Sequence, residues 1–83
     1  MHRVTWMVYL LRCRDGSLYT GITNNLARRL AAHRAGTASA YTRARGPVRL
    51  VYREPVPDRG AALRREAAIK RLTRQAKLEL IRA

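Results

Sequence analysis

From Val4 to Leu11 the chain reads Val-Thr-Trp-Met-Val-Tyr-Leu-Leu, a run of β-branched, aromatic and aliphatic residues that predicts a strand. Arg14-Asp15-Gly16 signals a turn, and Ser17-Leu18-Tyr19-Thr20-Gly21-Ile22 resumes the pattern, so the two runs predict a β-hairpin. Loop length decides which side chains share a face, because strand positions alternate across the sheet. A two-residue loop, Asp15-Gly16, pairs Arg14 with Ser17 and points Tyr9 and Tyr19 to opposite faces. A three-residue loop, with Gly16 in the left-handed position of a bulge, pairs Cys13 with Ser17 and Leu11 with Tyr19 and brings both tyrosines to one face. Local sequence leaves both loops open; the three-residue loop is the preferred reading.

Thr23-Asn24-Asn25 offers helix N-caps, Leu26 to Ala35 reads as helix, and Gly36 reads as its stop. Leu26, Arg29, Leu30 and His33 fall at i, i+3, i+4 and i+7 and line one stripe. Residues Thr37 to Pro47, with Gly, Ser, Thr, Pro and Arg among them, read as an exposed loop. Val48 to Arg53 predicts a third strand, which Pro55-Val56-Pro57 ends. Asp58 caps a second helix from about Gly60 to Leu72, and Thr73 caps a third from Arg74 to Ile81. The expected architecture is α+β, a three-stranded antiparallel sheet flanked by three helices in the order ββαβαα. Eighty-three residues make one modest core and one domain, residues 1–83, without repeat or linker.

Charge changes the picture of the surface. Eighteen Lys and Arg, most of them arginine, stand against five Asp and Glu, a formal net charge of +13. Such an excess self-repels unless a polyanion screens it, and the planar arginine fork suits phosphate oxygens, so nucleic acid is the expected partner. The basic residues run from Arg3 to Arg82 among frequent apolar positions, which argues against a disordered basic tail. Cys13 is the one cysteine and makes no internal disulfide; the N-terminus has neither a signal core nor a membrane-length apolar run, so a cytoplasmic protein without a membrane partner is expected.

Few side chains are candidates for chemistry. Glu66 lies on the apolar stripe of the second helix with Ala62, Leu63 and Ile69, where a carboxylate needs a reason to be. It is a hard oxygen ligand for a divalent cation, or else the partner of Lys70 in an i,i+4 ion pair worth ~0.2–0.5 kcal/mol. Arg29 and His33 bring a cation and a titratable ring to one helix face; the first neutralises charge on a phosphoryl oxygen and the second relays a proton, unless the arginine only snorkels and the histidine only faces solvent. Tyr9 and Tyr19 carry hydroxyls able to orient or deprotonate a water, although most strand tyrosines simply pack. Tyr52 reads as packing and Tyr41 as a base-stacking residue. His2, Cys13 and His33 lack zinc-site spacing, no Ser-His-Asp set or phosphate-cradling glycine loop is present, and no paired carboxylates suggest a two-metal site.

These residues together resemble the GIY-YIG nuclease superfamily, in particular its small stand-alone bacterial members. Met7-Val8-Tyr9 looks like the first motif and Tyr19-Thr20-Gly21 like the second; Arg29, eight residues after Gly21, and His33 resemble the Arg and His or Tyr of the family helix, and Glu66 the metal-binding Glu. The likeness runs from Trp6 to about Leu72 and implies a three-stranded antiparallel sheet with both tyrosines in the site, which favours the bulged hairpin. It implies that Glu66 holds Mg²⁺ or Mn²⁺, that Tyr9 or Tyr19 activates water, that Arg29 offsets phosphate charge, and that His33 accepts a proton from the tyrosine or orients it. Three departures stand out: Met7 replaces a glycine, Thr20 replaces an aliphatic residue, and the segment after Glu66 has no asparagine, Gln75 being its only amide.

The expectation is therefore a structure-selective or weakly sequence-specific DNA endonuclease acting on branched or nicked DNA, with Arg28, Arg43, Arg45, Lys70 and Arg71 contacting mainly phosphates. Two other readings are a non-catalytic nucleic-acid-binding protein on the same scaffold and a basic subunit that docks on an acidic protein partner.

Overall fold

A computed structural model describes residues 5–83; His2, Arg3 and Val4, where the sequence predicts the first strand to begin, lie outside the described residues. The order is β1 (Trp6–Arg12), β2 (Leu18–Thr23), α1 (Leu26–Ala35), α2 (Ala40–Ala44), β3 (Arg49–Val56), α3 (Arg59–Lys70) and α4 (Arg74–Arg82). The three strands form one antiparallel sheet in the order β2-β1-β3.

The hairpin takes the three-residue form. Leu11 stands opposite Tyr19, the Cys13 N–H donates to the Ser17 carbonyl at 2.9 Å, and Gly16 has φ +84°. Only glycine enters that left-handed region without a Cβ penalty, so Gly16 sets the loop and the loop sets the register. Tyr9 and Tyr19 consequently lie on the same face.

Alternation along β1 divides the core in two. Val8 and Leu10 pack with Ala62 and Ile69 of α3, and with Leu80 and Ile81 of α4. Tyr9 and Leu11 pack on the other face with Cys13, Val48, Tyr19, Leu26 and Leu30, under α1. Cys13 is buried and unpaired, a packing residue. Side-chain caps start α1, α3 and α4 as the sequence predicts: Asn25, Asp58 and Thr73 accept from the backbone N–H three residues on.

Two sequence expectations need correction. The segment 37–47 is not simply an exposed loop: Ser39 caps the one-turn helix α2, which buries Thr42. Five residues are too few to show a helical period. The third strand does not stop before Pro55 but runs to Val56, with Pro55 opposite Met7. β3 is an edge strand, where a missing N–H facing outward costs no ladder hydrogen bond.

Candidate active site

The centre of the site is built by β1, β2 and α1. Gly21 stands directly opposite Tyr9, and a Cβ at Gly21 would lie 2.5 Å from both Cζ and the hydroxyl oxygen of that tyrosine. Lacking one, Gly21 lets the phenol lie flat across β2 and carry its hydroxyl to His33. The Tyr9 hydroxyl and His33 Nε2 are 2.8 Å apart, and both residues are buried, 1% and 2% exposed. Tyr19 meets the same imidazole edge-on, with ring centroids 5.2 Å apart.

Electrostatics follows from this burial. Removal from water pushes the Tyr9 phenol above its ordinary range, against the pull of the Arg29 guanidinium, while the charges of Tyr19 and Glu66 push it further up. Burial, then the positive charge of Arg29, lowers His33, so its ring is neutral at neutral pH. Arg29, one helical turn before His33 and itself exposed, thus acts on both members of the pair.

Behind the pair lies a chain of hydroxyls that the sequence did not reveal. His33 Nδ1 is 2.8 Å from Oγ1 of Thr42, and that oxygen is 2.9 Å from the Ser39 hydroxyl. Thr42 is 1% exposed. The available signal was Ser39 as an N-cap, which makes a helix of the following residues and turns one of them inward.

Glu66 arrives from α3, which packs on the face of the sheet opposite to Tyr9. It reaches Tyr9 through charge, and its nearest charged partner is Lys70 Nζ at 3.5 Å. The residue before it is clamped: Arg65 donates twice to the Glu54 carboxylate, at 2.9 and 3.1 Å, and Tyr52 donates to the same group at 2.6 Å. Burial works to raise the Glu54 carboxyl, but these hydrogen bonds outweigh it and hold the group ionised below its ordinary range. Tyr52 is therefore more than packing, since it helps tie α3 to β3.

No group of three or more His, Cys, Asp or Glu stands together among the described residues, so these offer no closed metal cage. The donor set that they do offer is one partly buried carboxylate, 20% exposed, whose competing Lys70 is 56% exposed and solvated. A Mg²⁺-type ion held by one carboxylate, water and substrate phosphate fits that arrangement.

The expected DNA-contacting residues are dispersed. Arg28 joins Arg29, Thr23, Asn24, Asn25 and Ala32 around a cavity of about 580 Å³, and a second of about 270 Å³ shares Thr23, Asn24 and Arg29 and adds Arg59. Arg59 was not expected from the sequence. Arg45 is instead engaged within the protein: it stacks 3.8 Å from the Tyr41 ring and meets Asp15 at 3.4 Å. Tyr41 also packs against Tyr19, with ring centroids 5.8 Å apart, and remains 37% exposed. Arg43 and Arg71 are exposed, and Lys70 pairs with Glu66. Gln75, the only amide after Glu66, is exposed on α4 and turned to Glu79 at 3.5 Å.

Residues 5–79 match the GIY-YIG catalytic domain family. Similar proteins include a UPF0213 protein of Xanthomonas axonopodis pv. citri, 53% identical over 94% of this chain and 76% of its own length. Another, from Clostridium perfringens, is 55% identical over 89% of this chain and 80% of its own. The fold is similar to the solution NMR structure of a UPF0213 protein from Bacillus halodurans, at TM-score 0.60 and 43% identity, covering 93% of this chain and 82% of that one. It is also similar to that of a protein from E. faecalis, at TM-score 0.65 and 39% identity, covering 94% and 83%.

Proposed function

Because the chain belongs to the GIY-YIG family of catalytic domains, we propose that it is a metal-dependent DNA endonuclease, structure-selective or weakly sequence-specific. The observation that carries this reading is the buried 2.8 Å contact between the Tyr9 hydroxyl and His33 Nε2 beside Arg29. A phenol protonated at neutral pH is a poor base unless a neighbour takes its proton, and a neutral imidazole is such a neighbour.

In the proposed reaction Tyr9 passes its proton to His33 Nε2 as it takes one from the attacking water. The water oxygen bonds to phosphorus, one P–O ester bond breaks, and the leaving alkoxide takes a proton from solvent. Arg29 offsets the charge that grows on the phosphoryl oxygens. Glu66 would hold the Mg²⁺ or Mn²⁺ ion, whose chemistry is Lewis-acid stabilisation of the leaving oxygen. Tyr19 packs on the imidazole and keeps water from it. The net charge of +13 favours a polyanionic substrate.

One pair of observations favours a non-catalytic DNA-binding scaffold as the second reading: Lys70 already partners Glu66, and Gln75 faces away toward Glu79. Nicked, flapped, branched and plain duplex DNA incubated with Mg²⁺ or Mn²⁺ separates the two. The proposal expects cleavage that Glu66→Gln and Arg29→Ala abolish. Salt-sensitive binding without cleavage by the wild-type protein would establish the scaffold reading.

A further inference from the structure

The Tyr9 hydroxyl is buried; among the described residues Arg29 approaches it as a donor, and the acceptor within hydrogen-bond distance is His33 Nε2. A buried O–H needs an acceptor, and arginine, the other polar neighbour, has only donors. Were Nε2 protonated, two donors would face each other and the phenol proton would be stranded. Nε2 therefore carries the lone pair, and in a neutral ring the proton belongs to Nδ1. Nδ1 in turn needs an acceptor, and 2.8 Å away lies Thr42 Oγ1. That oxygen is free to accept, because its own proton has an outlet in the Ser39 carbonyl at 3.4 Å or the Ser39 hydroxyl at 2.9 Å.

We infer that Thr42 is a positioning residue: its hydroxyl accepts the Nδ1 proton of His33 and so fixes the tautomer in which Nε2 receives the proton of Tyr9. The chain runs Tyr9, His33, Thr42, Ser39, every hydrogen pointing the same way and, among the described residues, every buried side-chain polar atom satisfied. It selects Tyr9 rather than Tyr19 as the activated phenol, since Tyr19 meets the imidazole by ring packing only. The consequence for catalysis rests on the nuclease reading; the tautomer does not.

The test reads the ring nitrogens directly. In a His2→Gln background one imidazole remains, and its ¹⁵N shifts and long-range ¹⁵N–¹H couplings distinguish Nδ1–H from Nε2–H. The expected result is a single Nδ1–H tautomer at neutral pH, retained in Thr42→Ser and replaced by a mixture or by Nε2–H in Thr42→Val. Thr42→Val is also expected to cleave DNA at least about tenfold more slowly, with Thr42→Ser restoring the rate. An Nε2–H tautomer in the wild-type protein overturns the inference, as does an unchanged spectrum in Thr42→Val. If Thr42→Val does not fold, the wild-type and Thr42→Ser spectra decide. Wild-type protein with the Nδ1–H tautomer but without cleavage would support the assignment and remove the nuclease reading.

Discussion

Gly21 and Tyr9 face each other across the hairpin so closely that glycine is the only residue that leaves the phenol its place. The second motif is thus required by the first: a side chain at position 21 would displace the hydroxyl that reaches His33. Gly21→Ala is expected to cost ~1–3 kcal/mol through overpacking, a fall in Tm of several degrees for a domain of this size. In a Tyr9→Ala background the same substitution should cost much less. Equal costs in the two backgrounds, measured by thermal unfolding, would show that the close approach is not what constrains this position.

Tyr9→Phe keeps the ring and removes the proton that His33 receives. Its cleavage rate should fall about 100-fold or more, with a stability change of only ~1 kcal/mol. Tyr19→Phe retains the ring packing on His33 and should lose far less activity. Parallel rate measurements on the two variants check which phenol reacts.

Glu66→Gln should abolish metal-stimulated cleavage while leaving DNA affinity intact or slightly raised, since one negative charge is removed. The Lys70 pair that disappears is a helical i,i+4 pair whose lysine is solvated, so the Tm should scarcely move. Failure of both binding and folding would assign Glu66 a structural task instead.

Stability should fall on mild acidification because of His33. Its folded pKa lies below the unfolded value of about 6.5, so the unfolded chain binds the proton first. The stabilisation is complete above about pH 6.5 and is lost as pH falls from there through the lower folded pKa. Urea unfolding between pH 8 and pH 5.5 should show this slope, and His33→Gln should flatten it.

Arg28→Gln with Arg59→Gln should weaken DNA binding of any sequence and make it less salt-sensitive, by roughly 0.9 in the log–log slope for each phosphate that is no longer neutralised. Arg45→Gln should weaken binding less, because its guanidinium already serves Asp15 and Tyr41. Titrations at three salt concentrations separate the cases.

Much of the fold was legible because its signals are local. Turn glycines, helix caps and alternating apolar runs depend on residues a few positions apart, and Gly16, Gly36, Asn25, Asp58 and Thr73 act where their chemistry predicts. The short helix α2 was not, since one turn has no period to read. Pro55 misled for a related reason: it stops a central strand, and only sheet order shows that β3 is an edge.

The same division applies to the site. Spacing alone determined that Arg29 and His33 share a helix face and that Glu66 lies on an apolar stripe, because helical periodicity is a property of the chain itself. Tertiary structure decided that Tyr9, not Tyr19, bonds to His33, that Thr42 holds the far nitrogen, that Arg59 joins Arg29 at the surface, and that Glu66 is carried by a helix on the opposite face of the sheet. Those relationships depend on distances between residues up to dozens of positions apart, and such distances exist only once the hairpin register and the two packed faces have formed.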